Sequence, residues 1–551
     1  MPTARRIAWL FFAVSLAIRA GVAVEVGATP LLRHGDWAET DNHFFAEAAQ
    51  RTASDWLGET PHHPYHGWHA LLWRQHARAT GVAPDEAAGR VLWDRWYGGA
   101  RYHQEPLYTW LLALIHGLFG DVRWVFVLQV LAGAASTVAV FLIALRLVPS
   151  VPWASVAATL HLAYGPFAYY DLVLHRTSLQ TAAGLLCAWL TLRAFDPGAS
   201  RGRWAALGGS FGAAVLLNST ALPLALVTLG AGLFRARRAA AYAALTFAAC
   251  LAPAVSRNLA VGVAPLELSS VAAVTFINAN AADVDPTAGF TLSRHAARIL
   301  HESEGRLGPA AIATLETHEG LGWLGLVARK ALVFFDPVEV PNNESYAYYA
   351  AWSPLLSASL GFSVYAALMV LGLLMTRWRD AWPLALALLF GLAVAVLFYN
   401  LSRFRAPLVA LAIPLGVAGL RRATAELRER RGVPLTLGAL ALAGLTLVPW
   451  SSPRPDAVRG VDVVIGAALW HEAARDASDP GGVLRDAALE GLDVAALLGA
   501  TRWTAAEARE AVEATLGLYQ HAARVTGESA PFQARGEALI AAMRRAFPLP
   551  P

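Results

Sequence analysis

Long apolar runs recur along the chain, separated by short turns that carry arginine. Ile7 to Gly27 (IAWLFFAVSLAIRAGVAVEVG) and Trp124 to Leu145 (WVFVLQVLAGAASTVAVFLIAL) set the pattern. Each is long enough as a helix to cross about 30 Å of hydrocarbon. Further spans are read near 151–170, 178–195, 204–217, 218–234, 239–255, 358–376, 380–399, 406–421 and 433–450. The first run follows Arg5 and Arg6 but lacks a small-residue cleavage site, so a retained helix is expected. The pattern predicts an all-α polytopic membrane protein with about eleven transmembrane helices.

The arginines give the orientation. With the N-terminus inside, alternation places Arg146, Arg201, Arg203, Arg235, Arg237, Arg238, Arg377, Arg379 and the cluster RRATAELRERRG on the cytoplasmic side. Two large loops, 29–122 and 256–357, then face outward together with residues 451–551. Pro106 to Gly120 (PLYTWLLALIHGLFG) is too short to cross and would invert every later turn if it did. It is read as a helix lying along the outer interface. The last hundred residues show the three-and-four spacing of Ala, Leu and Val typical of paired amphipathic helices. The expected organisation is a membrane module over 1–450 and a small TPR-like helical domain over 451–551, with a packing role or a protein partner.

Composition agrees. The 551 residues are 56% hydrophobic and 15% charged, with mean hydropathy +0.43, against about 25% charged in soluble domains. A formal charge of +4, with arginines beside apolar runs, points to membrane orientation and away from nucleic acid. Cys187 and Cys250 both lie in apolar segments, so neither a disulfide framework nor a redox motif is implied. There is no phosphate-binding glycine loop, and the histidine-rich PHHPYHGWHA (His62, His63, His66, His69), even with Asp41 and His43 added, lacks the spacing of a metal site. No metal or other cofactor is expected.

Polar residues on the outer face are the candidates for chemistry. Arg403 and Arg405, in FYNLSRFRAP, stand there against the positive-inside tendency, joined by Arg257, Arg329 and Lys330. They either snorkel to headgroups or bind an anionic group, for which a guanidinium fork is suited. Asp41, Glu105 and Asp171 are the matching carboxylates, each at a membrane boundary among aromatic residues. Together these supply a base for an acceptor and cations for a leaving phosphate.

The stretches TDNHFFAEAA, YHQEPLYTWLLALIHGLFG, RNLAVGVAP and SRFRAPLVALAIPLG, in this order over roughly residues 7–422, resemble membrane glycosyltransferases of the GT-C type. The likeness is greatest to the protein mannosyltransferase and aminoarabinose lipid A transferase group. This resemblance implies inverting transfer of a sugar from a polyprenyl-phosphate carrier to a protein, lipid or glycan acceptor outside the bacterial inner membrane. It assigns Asp41, Glu105 and Asp171 to catalysis, and Arg403, Arg405, Arg257 and Lys330 to the donor phosphate. His43, His103, His175, Arg176, Glu339, Asn342 and Asn343 are then the substrate-side candidates. A transporter or flippase of a lipid-linked sugar is the rival, and a noncatalytic scaffold a third reading.

Overall fold

The computed structural model describes residues 2–27, 29–38, 40–57, 98–290, 292–430 and 432–548, with positions 77, 87, 91, 94 and 95 between. The histidine-rich segment 61–70 lies outside the described residues. Every regular element among the described residues is helical. Helices α1 (Pro2–Gly27), α2 (Asp41–Ser54), α3 (Pro106–Phe119), α4 (Val125–Leu147), α5 (Val151–Leu162), α6 (Gly165–Tyr170), α7 (Thr177–Ala194), α8 (Arg201–Leu217) and α9 (Leu222–Ala260) make the first half. The second large loop folds into α10 (Ala272–Asn280), α11 (Ala296–Ser303), α12 (Leu307–Leu315), α13 (Gly322–Phe334), α14 (Tyr346–Ala350) and α15 (Pro354–Ser357). Then come α16 (Phe362–Met375), α17 (Trp378–Leu397), α18 (Ser402–Arg428) and α19 (Val433–Leu445). The tail forms α20 (Gly460–Arg475), α21 (Pro480–Leu489), α22 (Val494–Ala500), α23 (Ala505–Thr526) and α24 (Ala530–Ala546).

Among the described residues, Thr3–Gly27, Val122–Leu147, Ser219–Ala260, Trp378–Leu397 and Ser402–Arg428 are long and apolar enough to cross a bilayer unaided. The chain is an all-α integral membrane protein. One expected span is built differently from the sequence reading, and two others, 218–234 and 239–255, are joined in one bent element. Residues 151–170 break into α5 and α6, because Pro166 has no N–H to donate to the Leu162 carbonyl; the next carbonyl, of Ala163, accepts from Leu360 N at 2.8 Å. Residues 222–260 run as one element, but Ala236 (φ −149°, ψ 58°) leaves the helical region. A methyl placed on Gly232 would lie 3.3 Å from Ala240 Cβ, although eight residues of straight helix rise about 12 Å. The chain therefore folds back there, with Arg235, Arg237 and Arg238 exposed at the bend.

α18 is the centre of the bundle, packed by α4, α5, α7, α16 and α17. Its approach to α16 is backbone-close: a methyl on Gly416 would meet the Leu368 carbonyl at 2.6 Å, so small residues are needed at this crossing. The basic turns gather at one end of the helices. There Arg146 pairs with Asp196, Arg201 reaches Tyr242 Oη at 3.3 Å and Arg422 Nη1 donates to the Met375 carbonyl at 3.0 Å. The outer-loop segments meet at the other end, where Gln129 Nε2 donates to the carbonyls of Asp171 (3.0 Å) and Val173 (2.9 Å). Gln129 and Arg146 lie on one helix about 26 Å apart. Both ends of α3 lie on the Gln129 side, since Glu105 precedes it and α4 starts soon after it. Its Leu114, Leu118 and Phe119 are exposed while Tyr108 and Leu112 are buried, as suits a helix at an interface.

Candidate active site

Asp41 begins α2, where Thr40 caps the helix by accepting from His43 N. Its carboxylate accepts from distant segments, from Gln104 Nε2 at 3.0 Å on Oδ1 and from Arg403 Nη1 at 2.5 Å on Oδ2. Arg403 lies in the first turn of α18, where the helix dipole disfavours a cation, so the aspartate opposite it offsets a local cost. The same Nη1 lies 2.9 Å from His175 Nε2. Burial, and then Arg403 and Arg176, push the His175 imidazole well below its ordinary pKa. It is therefore neutral, with Nε2 accepting from Arg403 and Nδ1 donating to Thr177 Oγ1 at 2.8 Å. With its amide turned so that the oxygen accepts, Asn342 takes a further bond of 3.0 Å from Arg403 Nη1.

A second node lies beside the first. Glu105 Oε2 pairs with Arg176, and Oε1 accepts from Ser219 N (2.8 Å) and Ser219 Oγ (2.6 Å). Burial opposes ionisation of Glu105, but Arg176 and the two Ser219 bonds outweigh it and hold the carboxyl below its usual range. Both nodes open on one cavity of about 530 Å³. Its polar end carries Asp41, His103, Gln104, Glu105, Arg176, Asn342, Asn343, Arg403 and Arg459. Its other end is apolar, running between the helices past Leu224, Phe390, Leu408 and Leu411.

Several expected residues are placed elsewhere. Asp171 bonds Arg19 Nε at 2.6 Å and pairs with Ser178, deep in the bundle around a separate void of about 10 Å³. Its partner sits in the first apolar run, where the charge is satisfied by this buried pair. Arg405 is 0% exposed. Its Nη atoms donate to the carbonyls of Val333 (2.7 Å), Asp336 (3.1 Å) and Val338 (2.7 Å), and its guanidinium lies 4.4 Å from the Phe362 ring centroid. It clamps the end of α13 to α18 and does not reach the cavity. Arg257 donates to the Ala100 carbonyl and lies over the Tyr102 ring at 4.4 Å. Lys330 Nζ bonds Asn280 Oδ1 at 3.0 Å, and burial pushes its pKa down to about 7, which makes it a poor standing cation. His43 bonds the Gly35 carbonyl at 2.8 Å and Glu339 accepts from Tyr164 Oη at 2.5 Å; neither lines the cavity. Arg403 is thus the one cation of the expected phosphate set that lines it.

Arg405→Ala is expected to destabilise the fold by about 3–5 kcal/mol, because it leaves three buried carbonyls without their donor. Thermal unfolding in detergent should show this as a lowered Tm. An unchanged Tm would remove the clamp role.

Sequence reasoning missed Gln104, Ser219, Arg19 and Arg459. Gln104 sits beside Glu105 and was available as a neighbour; Arg19 is marked only as a charge inside an apolar run, and Ser219 and Arg459 have no local signal, since each meets its site only through tertiary packing. Among the described residues no group of three His, Cys, Asp or Glu side chains is placed to hold a metal.

Residues 103–257 match the family described as dolichyl-phosphate-mannose-protein mannosyltransferase. The resemblance read from the sequence is borne out. With it comes the expectation of a glycosyltransferase enzyme that draws on a lipid-linked donor. The matched segment contains Glu105, Arg176 and Ser219, the whole of the second node. Among solved structures the chain is similar to ArnT from Cupriavidus metallidurans in the apo state, with 13% identity, 99% of this chain and 78% of that chain covered, and a TM-score of 0.41. The same protein bound to undecaprenyl phosphate aligns at 13% identity over 98% of this chain and 77% of that chain, with a TM-score of 0.40. No curated protein matches the sequence.

Proposed function

We propose that the chain transfers a sugar from a polyprenyl-phosphate donor to a hydroxyl or amine acceptor, with inversion, on the non-cytoplasmic side of the inner membrane. The observation that carries this reading is the direct contact of Asp41 with Arg403 at 2.5 Å, on the wall of a cavity that also holds Glu105 and Arg176. A proton acceptor and phosphate-binding cations are what the reaction requires, and segments 362 residues apart in sequence supply them to one place.

The acceptor's heteroatom attacks the anomeric carbon as the bond from that carbon to the phosphate oxygen breaks. Asp41 takes the acceptor's proton, and the polyprenyl phosphate leaves with the bonding electrons. Arg403 and Arg176 balance the charge that develops on the departing phosphate, and the positive N-terminal end of α18 adds to them. Glu105 holds Arg176 in place. Asn342, Asn343 and His103 are at hand for sugar hydroxyls, and the apolar end of the cavity suits a prenyl chain. Asp171 and Arg405 serve the scaffold. The outward side is assigned from the arginine-bearing turns at the far end of the helices.

Purified protein in vesicles, supplied with a radiolabelled polyprenyl-phosphate sugar and a membrane extract as acceptor source, should release polyprenyl phosphate and leave label on a new product. Label that crosses the vesicle membrane with its phosphate bond intact would replace this reading with the transporter.

A further inference from the structure

Residues 451–551 were expected only to pack or dock, yet they place an arginine on the cavity wall. Arg459 stands immediately before α20 and lines the cavity beside Asn342, Asn343 and Arg403. It is held from behind. Asp462, one turn on, accepts from Arg459 Nε at 3.1 Å and Nη2 at 2.6 Å. Nη2 also donates to the backbone carbonyl of Asn342, the residue whose side chain meets Arg403. One asparagine therefore bridges two guanidinium groups, one from the first turn of α18 and one from the C-terminal tail. Among the described residues Nη1 of Arg459 has no partner.

The segment that carries Arg459 is fixed to the membrane module at several points. Ser345 Oγ donates to the Ala457 carbonyl at 2.6 Å, while within the tail Trp503 Nε1 donates to the Val458 carbonyl at 3.1 Å. The Trp352 and Trp470 rings meet tilted with centroids 4.9 Å apart, and Gly466 packs so closely on Tyr348 that a methyl there would clash with its Oη. Arg33 pairs with Asp476 at 2.7 Å at the rim. Burial pushes the nearby Glu344 carboxyl up to about 8. It is thus largely protonated near pH 7 and adds little negative charge against an anion.

We infer that Arg459 is a further phosphate-binding cation, supplied by the C-terminal helices, which with Arg403 grips the phosphate of the polyprenyl donor. The inference rests on the donor reading above. It makes residues 451–551 a working part of the site: a donor phosphate between Arg403 and Arg459 spans both modules, and the free Nη1 offers it a donor that the protein leaves unused.

The test is binding of undecaprenyl phosphate and of the uncharged undecaprenol to the full-length wild type and to Arg459→Gln and Arg459→Lys. Arg459→Gln is expected to raise the Kd for undecaprenyl phosphate about tenfold. Arg459→Lys should recover most of the loss, and undecaprenol should bind all three alike. Equal phosphate binding in wild type and Arg459→Gln would overturn the inference, as would equal weakening in Gln and Lys variants with a lowered Tm, the mark of a purely structural arginine. Wild type that fails to bind undecaprenyl phosphate at all would overturn the donor reading itself.

Discussion

Asp41→Asn is expected to cut kcat by about 10²–10⁴-fold and to leave the donor Kd within a few-fold of wild type. The substitution keeps size and planarity. The amide can still accept from Gln104, which bonds Oδ1 at 3.0 Å, but its NH₂ group now faces a guanidinium and cannot take a proton from the acceptor. Donor affinity is spared for a related reason: in the free enzyme Asp41 competes with any incoming phosphate for Arg403 Nη1, and the neutral amide competes less. A loss confined to turnover therefore separates a proton acceptor from a residue that merely shapes the pocket, whose removal would weaken binding as well. Asp41→Glu, which keeps the carboxylate but displaces it by one methylene, should retain more activity than Asn. Single-turnover measurements with labelled donor read the two quantities apart, and near-normal turnover in Asp41→Asn would rule Asp41 out as the base.

The parts of this architecture that follow from periodicity and charge were legible in the sequence, and the parts that follow from packing were not. Apolar runs longer than a core helix, with arginine at alternate turns, anticipate the membrane bundle and the grouping of basic turns at one end. That both ends of α3 lie at the Gln129 end of the bundle agrees with reading it as a helix that does not cross. The site was half visible. Asp41, Glu105 and Arg403 stand out by their position at span boundaries and Arg176 by the family resemblance, and the cavity unites them. Arg405 shows the kind of error that arises when a helix start is read as a loop. The span was set to begin at 406, yet α18 begins at Ser402. Residues two apart on a helix point about 200° away from each other, so one of the two arginines had to turn from the cavity. Asp171 is placed away from the cavity for another reason: its partner Arg19 stands inside the first apolar run, where a buried ion pair is what keeps a charge. Arg459 had no signal at all, because its role exists only where the tail docks.

Arg403→Ala should fail in both respects that Asp41→Asn separates. One nitrogen, Nη1, contacts Asp41 at 2.5 Å, His175 at 2.9 Å and, in its accepting orientation, the Asn342 amide at 3.0 Å. Alanine removes the phosphate's nearest cation and takes from a poorly exposed carboxylate the guanidinium that bonds its Oδ2. The Kd for undecaprenyl phosphate is expected to rise about 100-fold, the equivalent of roughly 2.7 kcal/mol, with kcat depressed as well. Arg403→Lys restores a point charge without the fork, so it should recover part of the binding and little of the turnover. The double variant Asp41→Asn with Arg403→Ala carries the argument furthest. If the two side chains act as one unit, its turnover will be close to that of the worse single variant; if they act independently, the two losses will multiply. Multiplicative losses would break the link between the aspartate and the arginine on which the proposed reaction depends.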